Sequence, residues 1–158
     1  MLQILQLHGV APQALELSLY NAAGATPAAL QALQTLRAAG LTLSLQQFGA
    51  QNLPFELLRA LPLQHLGLDA SIVQGLGGAV GDPLVTGIAQ SAVLLARSLG
   101  AKVFAEEVSR EAQVRTLQAL GCFSAQGPFF GPRLEGPEAT EHLRRAKPGP
   151  HKVVRTSF

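Results

Sequence analysis

Short stretches with a two-residue hydrophobic period alternate along this chain with longer stretches that carry helix signals. The clearest lies at residues 41–46, where leucine at every second position is separated by Thr42, Ser44 and Gln46. This period is typical of a strand with one apolar and one polar face. Further strands are predicted at residues 14–21, 65–69, 101–107 and 124–126. Strands that alternate with helices over short connections predict a parallel α/β fold.

The segments between these strands carry helix caps and stops. Thr26 followed by Pro27 is an N-cap and first-turn pair, and Ser109 is predicted to cap the helix after the fourth strand. The stretch at residues 75–81 contains four glycines and is predicted to be a loop. The predicted helices cover residues 2–8, 26–39, 54–61, 82–99 and 109–120, and a last one starts at Pro137.

Five polar side chains lie at the alternating positions that form the polar face of their strands. All five fall near the predicted carboxyl ends of those strands. Strands of a parallel barrel all point the same way, so these side chains would meet at one mouth of the barrel. A closed eight-stranded barrel needs more strands than the five predicted here. The spacing therefore predicts an open barrel with a site at its mouth, formed by Glu16, Gln46, Asp69, Glu106 and Gln126.

The composition of the chain limits the kinds of protein it can be. A chain of 158 residues with 47% hydrophobic residues can form one domain with a sizeable core. Basic residues are concentrated near the carboxyl terminus, and the body lacks the clustered Lys, Arg and aromatic residues of a nucleic-acid groove. No apolar run is long enough for a membrane span, and the amino terminus lacks the features of an export signal. We therefore expect a cytoplasmic domain at residues 1–146 and a basic, flexible tail at residues 147–158.

Five sequence segments, in the same order and spacing, resemble the EAL family of cyclic di-GMP phosphodiesterases. QQFGAQ is similar to the family's DDFGTG, and AEEVS is similar to AEGVE. LELSLYN is similar to the LEITES-type strand, LLRALPLQHLGLDASIV to LKRLPVDKLKIDRSFV, and LGCFSAQGPFFGP to LGCDYAQGYLFSKP. The resemblance implies a partial TIM-type (β/α) barrel of about five βα units. It also implies that the family's first segments, including the Glu-Ala-Leu signature, are absent from this chain.

The resemblance further implies roles for individual residues. Family members use Mg²⁺ or Mn²⁺ to activate the water that opens cyclic di-GMP. Glu16 matches a metal-binding glutamate of the family, and Glu106 matches a glutamate associated with the metals and the attacking water. Gln126 matches a glutamine near the same site, and Asp69 matches the aspartate of the KID motif, so these two are candidate nucleotide-binding residues.

Three departures weaken these roles. Gln46 and Gln47 stand where the family has two metal-binding aspartates, and Gly67 stands where it has the catalytic lysine. An amide oxygen brings no negative charge, so a site that loses two carboxylates holds divalent cations poorly. We therefore expect the roles of Glu16, Glu106 and Gln126 to be vestigial, and we expect no cofactor. Mg²⁺ or Mn²⁺ would be needed only if the family activity survives.

Structural roles compete with these functional ones. Asp69 is equally suited to cap a short helix after the third strand. Glu16 and Glu106 could simply face water inside an open barrel. The single cysteine, Cys122, is more typical of packing than of catalysis.

Three functions are open at this point. The first is a degenerate EAL domain that acts through a protein partner, or through a homodimer that covers the open barrel edges. The second is a sensor that binds cyclic di-GMP without cleaving it. The third is a metal-dependent phosphodiesterase completed by upstream strands or by a partner chain.

Overall fold

A computed structural model describes residues 2–50, 53–78 and 82–145 of the chain. Its strands are β1 (Glu16–Leu19), β2 (Thr42–Phe48), β3 (His65–Leu68), β4 (Lys102–Ala105) and β5 (Ser124–Ala125). Its helices are α1 (Leu2–Leu7), α2 (Pro27–Ala38), α3 (Phe55–Ala60), α4 (Ala70–Gly75), α5 (Pro83–Ser98), α6 (Glu111–Ala119) and α7 (Gly136–Arg145). The predicted basic tail at residues 147–158 lies outside the described residues, as does the end of the predicted glycine-rich loop at residues 79–81.

The strands form one parallel sheet in the order β1-β2-β3-β4-β5, which is also their order in the chain. Neighbouring strands are connected through helices, as parallel pairing requires. The predicted α/β class and partial (β/α) barrel are therefore confirmed. Among the described residues, β1 and β5 are the two edges of the sheet.

Side-chain caps fix several helix starts. The Thr26 hydroxyl accepts a hydrogen bond from the Ala29 amide at 3.2 Å, and Asp82 caps α5 in the same way. The predicted cap at Ser109 is wrong. The helix starts at Glu111, and its preceding amides, those of Ser109 and Arg110, both donate to Gln113 Oε1 at 2.9 Å. Gln113 is the third residue of the helix, and its side chain folds back to accept from the amides that precede the helix, as the third residue of a capping box does.

The fourth strand is shorter than predicted. It ends at Ala105, so Glu106 and Glu107 follow the strand instead of forming its last residues. Glu107 has a positive φ of 55°, which is incompatible with an extended strand. The chain then returns to the sheet, where the Val108 amide donates to the Gln126 carbonyl at 3.0 Å.

The two faces of the sheet have different surroundings. One face carries Leu45, Leu66 and Val103, which belong to a buried hydrophobic cluster with residues of α5 and α6. The other face carries Ser44 and Gln46, which are 0% and 2% exposed. Buried polar groups need hydrogen-bond partners, so this inner face depends on a network of its own.

Cys122 belongs to the buried hydrophobic cluster and is 3% exposed. Its thiol lies 3.5 Å from the Val103 carbonyl and 3.4 Å from that of Ser124, and it can donate to either. Burial raises the pKa of Cys122 to about 11, although the hydrogen bond to Ser124 opposes the shift. A thiol that stays protonated at neutral pH is a poor nucleophile. The packing role expected for this cysteine therefore fits its surroundings.

We expect the raised pKa of Cys122 to make the protein less stable at high pH. The fold favours the neutral thiol, so its contribution is complete below pH 9 and is lost as the pH rises through about 11. A shift of this size corresponds to roughly 2–3 kcal/mol in the free energy of unfolding. Urea denaturation from pH 7 to 11 of the wild type and Cys122→Ala measures it, because the variant lacks this component. A difference between the two proteins that stays constant with pH would contradict the prediction.

Candidate functional site

The inner face of the sheet is linked by a cluster of three neutral side chains. Gln46 Nε2 donates to Ser18 Oγ at 3.0 Å and to Ser44 Oγ at 3.2 Å, and the two hydroxyl oxygens are 3.2 Å apart. Ser18 and Ser44 are directly paired in the register of β1 and β2. The cluster therefore joins the edge strand to its neighbour through side chains as well as through the backbone.

The other end of the Gln46 amide is not satisfied in this way. Its Oε1 is buried and has no hydrogen-bond partner among the residues that the structure describes. It points toward Gly67 on β3, where an added Cβ would lie only 2.7 Å from this oxygen. Gln46 thus faces the position where the resemblance predicted a lysine, and no cation is supplied there.

Gln47 does not join Gln46. Its side chain is exposed, and its backbone has a positive φ of 56°. Successive residues at the end of a strand point in different directions, and this turn separates the two amides further. The two positions matched to the family's aspartate pair therefore have different surroundings, one buried and one at the surface.

Glu106 and Gln126 lie together beyond β4 and β5. Gln126 Nε2 donates to Glu106 Oε1 at 3.0 Å. Gln126 Oε1 is buried and has no hydrogen-bond partner among the described residues. The convergence predicted for these two residues is therefore found in the structure.

Glu16 does not join this mouth, which corrects the predicted convergence. It is the first residue of β1, at the amino end of the strand, and its Oε2 lies 3.2 Å from Nδ1 of His65. His65 is in turn the first residue of β3. The error arises because the predicted strand at residues 14–21 is longer than β1. The alternation of residues assigns Glu16 to a face of the strand but does not show to which end it is closer. Ser18, two residues later, is the β1 side chain that contacts Gln46.

Asp69 has the structural role that competed with nucleotide binding. Its Oδ1 accepts hydrogen bonds from the Ser71 amide at 2.9 Å and from the Ser71 hydroxyl at 2.6 Å. It is the N-cap of α4. One carboxylate oxygen is therefore committed to the helix start.

Glu107 is held in a left-handed conformation by the contact between the end of β4 and the end of β5. The Phe129 amide donates to the Val108 carbonyl at 3.0 Å, and the Val108 amide is bonded to the Gln126 carbonyl. Gly127 packs so closely here that a Cβ would overlap the backbone of Val108. Non-glycine residues rarely adopt a positive φ, so the surrounding contacts impose it on Glu107.

These residues do not form a suitable site for a pair of divalent cations. A hard cation needs several oxygen ligands with negative charge. The Gln46 amide points its NH₂ group, a donor, at the serine hydroxyls and offers one neutral oxygen on its other side. Across residues 2–50, 53–78 and 82–145, no three His, Cys, Asp or Glu side chains come together as a metal site would need. The metal ions implied by the resemblance therefore do not fit the residues present.

Ser18, Ser44 and Phe104 are the inner-face residues that the sequence analysis did not identify. The two serines lie at the polar alternating positions of their strands, as Gln46 does. That alternation was the available signal. Phe104 lies two residues before Glu106 in the predicted strand, so alternation places it on the same face, but an apolar residue there was not considered for the site. The structure instead places Phe104 next to Gly67 in the register of β3 and β4.

Comparison with known proteins places these features in a family. The family profile described as EAL domain matches residues 1–133. The chain is 35% identical over 104 residues to the bifunctional diguanylate cyclase/cyclic di-GMP phosphodiesterase MucR of Pseudomonas aeruginosa. That match covers 66% of this chain and 15% of MucR.

Solved structures give the same result. The PaMucR phosphodiesterase in its c-di-GMP complex superposes with a TM-score of 0.78 at 29% identity, over 87% of this chain and 55% of that one. The EAL domain of Mycobacterium smegmatis DcpA superposes with a TM-score of 0.82 at 26% identity, over 90% of this chain and 64% of that one. The chain thus spans less than two thirds of either structure.

Within the described residues no helix is both long enough and apolar enough to cross a membrane.

We expect Glu107→Gly to stabilise the protein. A left-handed conformation costs a non-glycine residue about 1–2 kcal/mol, and glycine avoids this cost but loses about 0.5–1 kcal/mol through the greater freedom of its unfolded chain. The expected net gain is therefore about 0.5–1 kcal/mol in the free energy of unfolding, measured by urea denaturation. Glu107→Ala is the matched control, because it removes the carboxylate but keeps the Cβ. An equal gain in both variants would assign the effect to charge and contradict a backbone origin.

Proposed function

The chain belongs to the EAL domain family, and from that premise we propose that it serves cyclic di-GMP signalling as a degenerate EAL domain that does not cleave the nucleotide. In this proposal it acts through contacts with protein, either a partner or a second copy. The observation that carries the proposal is the neutral cluster of Ser18, Ser44 and Gln46. It occupies the inner face beside the positions where the family resemblance calls for metal-binding carboxylates and a lysine.

The electrostatics of this cluster support the loss of turnover. Two divalent cations bring four positive charges, and hard cations are held by carboxylates that offset this charge. Of the residues matched to the family's site, Gln46 and Gln47 are neutral, and Glu16 lies at the other end of the sheet. Among the residues matched to the family's metal-associated positions, Glu106 is the remaining carboxylate, and it already accepts a hydrogen bond from Gln126. One carboxylate provides too little negative charge to keep a metal pair in place.

Binding of cyclic di-GMP without cleavage is less well supported. Recognition of a phosphate relies on charge-assisted hydrogen bonds from cationic side chains. The residues at this mouth are amides and carboxylates, and Gly67 supplies no charge. The guanidinium of Arg110 donates to the carbonyls of Gln74 and Leu76 and so is engaged in the fold. An anionic ligand would therefore meet neutral or negative groups.

A role through protein contacts is supported by the sheet edges and the surface. β1 and β5 each pair on one side only among the described residues, and unpaired sheet edges are suited to strand addition. Only 14% of the residues are charged, and several large apolar side chains are exposed, including Leu84 at 70% and Phe123 at 79%. We propose that the partner covers at least one of these edges, and we expect the protein to work in the cytoplasm.

A second candidate is a metal-dependent phosphodiesterase completed by further strands. It is favoured by the contact between Glu106 and Gln126, two positions matched to the family's catalytic residues, and by the partial coverage of the solved relatives. In that case the missing carboxylates and the phosphate-binding cation would come from outside these 158 residues. The same assay distinguishes this candidate from the first.

We expect the chain to release no linear pGpG from cyclic di-GMP in the presence of Mn²⁺. Chromatography of the reaction after prolonged incubation measures this, with the MucR phosphodiesterase as the positive control. Glu106→Gln is the matched variant, because it removes the carboxylate matched to the family's metal-associated glutamate and leaves a side chain of the same shape. Product in the wild type that disappears in Glu106→Gln would reject the inactive domain and favour the second candidate.

Ligand binding and association are measured on the same preparation. Calorimetry should detect no heat with cyclic di-GMP at high micromolar concentration, with or without Mg²⁺. Saturable heat together with no pGpG would instead identify a sensor. A chain that stays monomeric by light scattering and retains no protein from its source would count against the role through protein contacts.

A further inference from the structure

The ring of Phe104 occupies the space above Gly67 on the inner face of the sheet. Gly67 and Phe104 are paired in the register of β3 and β4, and Phe104 is 2% exposed. A Cβ added to Gly67 would lie 2.5 Å from Phe104 Cζ and 2.7 Å from Gln46 Oε1. Real Cβ atoms do not approach other heavy atoms so closely. A side chain at position 67 therefore cannot coexist with the ring in this position.

An aromatic contact with His65 also packs against the ring. The imidazole of His65 meets Phe104 edge to face, with ring centroids 6.4 Å apart and an interplanar angle of 78°. His65 is also paired with Glu16 at 3.2 Å. The ring is thus supported from the amino end of the sheet, and its Cζ projects toward Gly67 and the buried oxygen of Gln46.

We propose that Phe104 determines what the interior of this site can hold, because its ring excludes both a side chain at position 67 and a hydrated divalent ion beside residue 46. This inference rests on the proposed function, in which the metal pair is lost, and it goes further by assigning an independent cause. The Phe104 ring fills space inside the site, and the site also lacks the negative charge that a cation needs. Restoring carboxylates alone is therefore insufficient to restore ion binding.

The chemistry of the ring supports this exclusion. Mg²⁺ needs six oxygen ligands in a nearly octahedral arrangement, and it gives up its water ligands reluctantly. An aromatic ring supplies no such ligand, and its C–H edge carries partial positive charge. Cζ is part of that edge. Its partial positive charge opposes a cation beside it.

The steric part of the proposal is tested by a double-mutant cycle between positions 67 and 104. We expect Gly67→Ala to lower the melting temperature strongly in the wild type and only slightly in a Phe104→Val background. Gln46→Ala is the matched control background, because the Gln46 amide is the other near neighbour but lies at the end of a flexible side chain. An equal loss in the wild-type and Phe104→Val backgrounds would overturn the proposal. Relief by Gln46→Ala instead of Phe104→Val would also overturn it.

The ionic part is tested by titrating the protein with Mn²⁺ and measuring free Mn²⁺ by electron paramagnetic resonance. We expect the double variant Ser18→Asp/Gln46→Asp, which puts two carboxylates on the inner face, to bind at least tenfold more tightly once Phe104→Val is added. Equal affinity with and without Phe104→Val, or no binding in either, would overturn the exclusion of ions by the ring. Saturable Mn²⁺ binding by the wild type would instead reject the proposed function. The two failures are therefore distinguishable.

Discussion

The hydrogen bonds of one buried amide, that of Gln46, govern the inner face of this sheet. The side chain is 2% exposed and bridges Ser18 on β1 to Ser44 on β2. A carboxylate in the same place would need cations or several donors to offset the cost of burying its charge. A neutral amide carries no such charge, and the two hydroxyls accept hydrogen bonds from its NH₂ group. The interior of the sheet can therefore stay buried without metal ions, and the cluster adds side-chain hydrogen bonds to the backbone pairing of β1 and β2.

The mouth of the sheet combines features of a catalytic family with features of a packed interior. Glu106 and Gln126 are in contact, and the turn at Glu107 is held in a left-handed conformation by the backbone of Val108 and Gly127. Strain of this kind is common at functional sites. The adjacent positions carry a buried amide and a glycine covered by Phe104 instead of charged groups. The scaffold that positions a site is thus present, while the charges that would operate it are largely replaced.

Much of the fold followed from local patterns. The two-residue period identified the strands, and Thr26 and Asp82 cap the helices that they were predicted to start. These signals are reliable because they act between residues close together in the chain. The predicted cap at Ser109 was wrong because the helix starts two residues later, at Glu111, where the Gln113 side chain accepts from the amides of Ser109 and Arg110. Gln113 is buried, and its Nε2 donates to the Val73 carbonyl, a distant contact that local patterns could not reveal.

The sequence by itself determined the parallel β/α order, the family resemblance and the loss of charge at residues 46, 47 and 67, since these depend only on residue type and spacing. The tertiary structure decided which polar residues meet. It separated Gln46 from Gln47, moved Glu16 to the amino end of the sheet beside His65, and brought Ser18 to Gln46. The physical reason is that parity assigns a side chain to a face, whereas strand register and strand ends, set by pairing between distant segments, assign its neighbours.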